Sequence, residues 1–132
     1  MAGIVVDRSD RNPPEFGPLR EEVARRPEDI VARRRLGWAL YAAGATDEAL
    51  PVLRDGCRDF PEDADLRYAL ALAAKRAGMV DEAAEAFLLV ARMAEAMPDP
   101  GRGEILHRLA TGHHNRLRTG RWGLVKEVWG RS

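Results

Sequence analysis

Gly44-Ala45-Thr46-Asp47-Glu48-Ala49-Leu50 is written a second time, with small changes, as Gly78-Met79-Val80-Asp81-Glu82-Ala83-Ala84. Glycine, aspartate, glutamate and alanine recur at 44 and 78, 47 and 81, 48 and 82, and 49 and 83, each pair 34 residues apart. A fixed period of that size is the mark of a repeating helical unit. Each glycine falls where a left-handed residue closes one helix. The Asp-Glu pair then opens the next, where carboxylates favour the positive end of the helix dipole.

Working outward, the apolar spacing predicts a helix over 30–43, with Leu36, Leu40 and Ala43 on one face. A second is expected over 46–59, striped by Ala49, Leu50, Leu53 and Cys57, with Pro51 near enough to its start to be tolerated. The pair repeats as helices over 63–77 and from Val80 to about Met97. Pro98, Pro100, Gly101 and Gly103 are expected to break that helix. A weaker copy follows. Leu106, Leu109, Ala110, His113 and Leu117 have helical spacing, Gly120 stands where Gly44 and Gly78 stood, and Leu124, Val125, Val128 and Trp129 stripe a final helix. The step from Gly78 to Gly120 is 42, so eight residues are inserted, assigned to a long fourth helix and the Pro/Gly turn. Ahead of the repeats, Pro13, Pro14, Gly17 and Pro18 mark residues 1–17 as an irregular arm, with a short helix from Pro18 to Arg26 ended by Pro27.

Leu36-Gly37, Leu40, Gly44, Glu48-Ala49, Leu53 and Pro61, echoed by Leu70-Ala71, Gly78, Glu82-Ala83 and Phe87, resemble the tetratricopeptide repeat. The resemblance is good over residues 27–98 and loose over 103–130. Ala74, Glu95, Arg33 and Arg67 depart from the family pattern, the last two standing where it has an aromatic. The implied fold is all-α: a right-handed α-α superhelix of about three helix-turn-helix repeats, near 30–61, 63–98 and 102–130, in a single domain over 18–132. In that family the first helix of each pair lines a concave groove. The groove is then expected to show Arg34, Trp38 and Tyr41 from the first unit, and Tyr68, Leu72, Lys75 and Arg76 from the second. His107, His114 and Arg118 are expected there from the third. Aromatics interleaved with bases are the make-up of binding hot spots. The implied work is non-enzymatic binding of a peptide or partner segment with acidic and apolar side chains, as an adaptor or scaffold. A clamp for a C-terminal carboxylate is excluded, because Trp38 and Ala69 replace its asparagines.

Composition sets the remaining bounds. The 132 residues hold 21 basic and 21 acidic side chains, so net charge selects no partner. The charge is uneven: residues 101–132 carry seven bases and two acids (7 − 2 = +5), which leaves 14 − 19 = −5 for residues 1–100. Nearly all the bases are arginine, which reads as the codon bias of a GC-rich, bacterial genome. The basic last third, with Trp122 and Trp129 among its arginines, raises nucleic-acid binding as a lower-ranked reading. Self-assembly through the open ends of the array is the main alternative. Cys57 is the only cysteine, which excludes an internal disulfide and agrees with a cytoplasmic location. No signal peptide or membrane-spanning run is visible. His107, His113 and His114 lack the spacing of a metal site, no nucleophile–base pair has a context, and no cofactor is expected. Gly3 to Asp7, apolar and ending in an acid, has the make-up to lie in the chain's own groove or in that of a second copy.

Overall fold

Three aspartates start the helices that matter most. Asp29 accepts hydrogen bonds from the amides of Val31 and Ala32, Asp63 from that of Leu66, and Asp99 from those of Gly101 and Arg102. Each thereby satisfies amides that the helix itself leaves free. Three glycines close the same helices, Gly44, Gly78 and Gly120, with φ of 80°, 81° and 81°. Only glycine adopts that backbone without cost. The computed structural model describes residues 16–123, which form six helices and no strand. They are α1 (Phe16–Arg25), α2 (Ile30–Ala42), α3 (Thr46–Asp59), α4 (Ala64–Arg76), α5 (Val80–Ala94) and α6 (Pro100–Thr119). The chain is an all-α array of helical hairpins, each helix packed on the next and α2 also on α4.

The repeat holds at the level of single hydrogen bonds. The amide of Gly44 donates to Tyr41 and that of Ala45 to Leu40; 34 residues on, Gly78 donates to Lys75 and Met79 to Ala74. It also reaches α1. Asp29 N–H donates to Arg26 as Asp63 N–H donates to Phe60, and Pro27-Glu28-Asp29 becomes Pro61-Glu62-Asp63. Arg20 pairs with Glu48 at 3.0 Å, and Arg54 with Glu82 at 2.8 Å: one ion pair, repeated at the repeat distance. Thus α1 is the counterpart of the second half of α3. Phe16, Leu19 and Val23 stand where Leu50, Leu53 and Cys57 stand one unit later. The irregular arm expected through residue 17 ends earlier, since Gly17 and Pro18 lie in the first turn of α1, where an amide donor is not needed. Phe16 in that turn is buried in the common core.

Two further expectations are corrected. The fourth helix does not run to Met97; it ends at Ala94. Pro100, Gly101 and Gly103 do not break that helix but begin α6, with Pro100 in the first turn after the Asp99 cap. The inserted residues are therefore mostly in α6, which has 20 residues against 13 in α2 and in α4. The expected last helix, from Leu124 to Trp129, and the Gly3–Asp7 stretch lie outside the described residues.

The core runs through the array from Phe16 past Leu40, Leu53 and Leu66 to Phe87 and Val90. Alanines at 69, 71, 73, 74, 83, 86 and 91 let α4 and α5 approach closely. Gly37 serves the same end, because a Cβ there would overlap the Leu53 side chain. Arg33 is only 6% exposed. Its guanidinium stacks 5.5 Å from the Phe60 ring and donates to Asp59 at 2.7 Å, so the stem packs as an aromatic would. Burial pushes the Cys57 thiol up to about 11, which keeps it protonated and makes it a core side chain.

Candidate partner-binding groove

Helices α2, α4 and α6 run in the same direction, with their glycines at one end of the array and their capping aspartates at the other. Their exposed flanks meet in a chain of rings that runs from the glycine end of α2 across the first half of α4 to α6. Trp38 lies edge-on to Tyr41, with centroids 6.0 Å apart, and 6.4 Å from Tyr68. Tyr68 meets Phe87 edge-on at 5.9 Å, and lies 6.2 Å from His113. His113 stacks on Phe87 at 4.6 Å, and Trp122 closes the row, edge-on to His113 at 4.9 Å. Phe87 is fully buried, whereas Trp38, Tyr41, Tyr68, His113 and Trp122 are half-buried. The row is a surface lining on a core floor.

Cations stand along this row. The Arg76 guanidinium lies over the Tyr41 ring at 3.7 Å and donates to the Tyr41 carbonyl at 2.7 Å. Lys75 Nζ is 3.3 Å from His113 Nδ1. An ammonium can only donate, so Nδ1 accepts and the ring proton sits on Nε2. Burial, then Lys75 and Arg116, hold the His113 pKa below its ordinary value, which keeps the imidazole neutral. Burial raises the Tyr68 hydroxyl, so it too is uncharged. Neither Lys75 nor Arg76 has a carboxylate partner among the described residues. Two cations on an aromatic lining, with no carboxylate partner among the described residues, can bind a carboxylate flanked by apolar groups.

Of the residues expected in the groove, Trp38, Tyr41, Tyr68, Leu72, Lys75 and Arg76 share this face of α2 and α4. Arg34 lies lower on α2, bound to Asp63 with Nε at 3.0 Å, and lines the cleft into which the groove continues. In α6 the neighbour of Tyr68 is His113, a residue not singled out for the groove. His107 instead pairs with Glu95 at 3.3 Å and Arg118 with Asp81 at 3.2 Å, both across the α5–α6 contact. His114 is half-buried one residue farther round the helix. Trp122, expected among the basic side chains of the tail, folds back on α6, where only glycine at 112 leaves room for its ring. Asn115 Nδ2 holds the turn by donating to the Trp122 carbonyl at 3.1 Å.

At the aspartate end the groove continues as a cleft of about 620 Å³ between α4 and α6. Here α6 lies close to α5, since a Cβ on Gly103 would come within 2.6 Å of the Ala94 carbonyl oxygen. Leu89, Met93, Met97 and Leu106 give the cleft its apolar lining. Glu62, Asp63 and Asp65 line it on the α4 side, with Arg34 reaching in from α2 and Arg102 from α6. Among the described residues no three His, Cys, Asp or Glu side chains converge as a metal site, and no helix is long and apolar enough to cross a membrane.

Residues 30–73, which span α2, α3 and most of α4, match the family model of the tetratricopeptide repeat. No curated protein and no solved structure matches the chain.

Proposed function

Because the segment 30–73 is a repeat of the tetratricopeptide family, a kind that generally mediates protein–protein interaction, we propose that this protein binds a polypeptide segment in the groove formed by α2, α4 and α6. The bound segment carries acidic and apolar side chains. The protein acts as a non-enzymatic adaptor or scaffold in the cytoplasm, and needs no cofactor. The observation that carries this reading is the placement of Lys75 and Arg76, without carboxylate partners among the described residues, beside Trp38, Tyr41 and Tyr68. Rings with few rotors offer area at low entropic cost, and fixed guanidinium and ammonium groups orient the ligand's carboxylates. The mechanism is presentation of a preformed surface, with no bond made or broken.

The test is affinity capture from the native host, wild type against Trp38→Ala combined with Arg76→Glu, followed by titration of the captured protein. Loss of a central aromatic and a charge is expected to weaken binding at least about thirtyfold, the usual cost of a hot spot. The variant should keep its helical content, since both side chains lie outside the sealed core. Equal affinity of the two forms for every captured protein would sink the reading.

A further inference from the structure

Among the described residues, the two ends of the groove carry opposite charge that no ion pair satisfies. At the glycine end stand Lys75 and Arg76. In the aspartate-end cleft, Asp63 is spent on Arg34 and on the α4 cap. Two guanidiniums line the cleft, Arg34, which Asp63 pairs, and Arg102; Glu62 and Asp65 have no ion-pair partner among the described residues and leave the lining one negative charge in excess. The stretch between the ends is apolar. Tyr68, Leu72 and Leu109 lie along it, and Leu89 and Met93 floor the cleft below. Ile105, 63% exposed, is the most open large apolar side chain of the described residues and borders the same cleft.

We infer that the bound segment is charge-ordered: an acidic cluster at the glycine end, an apolar anchor in the α4–α6 cleft, and a basic side chain between Glu62 and Asp65. This rests on the reading of the groove given above and deepens it from a composition to an order. The spacing follows from α4 itself. Asp65 and Lys75 are ten residues apart on one helix, about 15 Å at 1.5 Å per residue. An extended ligand covers that length in about five residues and a helical one in about ten. The cleft suits an unbranched or aromatic anchor, because the thioethers of Met93 and Met97 adapt their shape to what they cover.

The experiment is selection of a displayed library of random 15-residue peptides on the full chain. Selected peptides are then synthesised and their affinities measured against variants. Enriched peptides are expected to carry acids and a base on opposite sides of an apolar residue, at one of the two spacings. Glu62→Lys combined with Asp65→Lys should weaken them about tenfold, and replacing the peptide's base by glutamate should restore most of that loss. Peptides that need Trp38 and Arg76 but show no basic preference, and ignore the Glu62/Asp65 variant, overturn the charge order and leave the groove reading standing. Peptides indifferent to Trp38→Ala with Arg76→Glu, or a library yielding no binder, overturn both. Selected sequences that match residues 1–15 or 124–132 assign the cleft to the chain itself. A dimer dissociated by Leu89→Asp assigns it to a second copy. Either result removes the partner segment from the cleft.

Discussion

The junction between α2 and α4 and the junction between α4 and α6 come from the same repeat, yet only the first is closed along its length. Between α2 and α4, Trp38 meets Tyr68, Arg76 crosses to Tyr41, and Arg34 reaches Asp63. Between α4 and α6, Tyr68 and Lys75 both meet His113, while the aspartate end opens into the cleft. The difference traces to α6, whose extra residues include a first turn held against the end of α5 by Gly103. A helix committed to one neighbour along its added length leaves the other neighbour uncovered. An insertion in a repeat can thus open a cleft between helices that the repeat would otherwise bring together.

That contrast can be broken most forcefully at Phe87, the buried ring beneath both Tyr68 and His113. Phe87→Ala is expected to cost about 3–5 kcal/mol in chemical denaturation. It should also loosen the α4–α6 contact more than the α2–α4 contact, seen as faster amide exchange in α6 than in α2. Gly112→Val comes next. The Trp122 ring has no room beside a Cβ there, so the change should cost about 1–3 kcal/mol and red-shift tryptophan emission. Alanine at Gly44 or at Gly78 should cost about 1–2 kcal/mol. The two losses should be alike, because the two turns share their hydrogen bonds.

A smaller effect sharpens the comparison through pH. From its environment Tyr68 and Lys75 on α4 and Arg116 on α6 face His113, with Phe87 from α5 and Trp122 beside it. Its folded pKa lies below the ordinary 6.5, so the folded chain binds fewer protons there than the unfolded chain. Stability from this group is complete above pH 6.5 and falls as the pH drops toward the folded value. The denaturation midpoint should therefore decline on acidification through that window, and His113→Gln should flatten the decline. An unchanged slope in the variant would show that His113 does not set it. Smallest of all, Arg20→Ala and Arg54→Ala should each cost no more than about 1 kcal/mol, and by similar amounts, since both break solvent-exposed pairs.

Much of the array was legible because its period and its punctuation agree. The helix expected over 46–59 has those bounds in the structure, and the helices on either side differ by no more than a residue or so at each end. Where punctuation pointed two ways, sequence reasoning failed. Pro100 and the glycines after it read as breakers, but Asp99 before them is a helix cap, and proline is compatible with the turn a cap begins. The placing of α1 was available and missed: Pro-Glu-Asp at 27–29 recurs at 61–63. In the groove, Trp38 through Arg76 follow from the period. His113 does not, because the eight inserted residues hide the register of the third unit, and neighbouring histidines are interchangeable until that register is known. The cleft was not legible, since it depends on how the added first turn of α6 packs against the end of α5.

The Arg–Glu rung shared by α1 with α3, and by α3 with α5, makes this chain a template for lengthening. Asp29 and Asp63 occupy one position of the unit, so a second copy of residues 30–63 spliced after Asp63 meets, at each seam, a junction the protein already contains. Such a tandem duplicate should fold into a longer rod, its helical signal rising by one hairpin and its unfolding transition steepening. Affinity for a segment long enough to span the added stretch could then be tuned by counting modules.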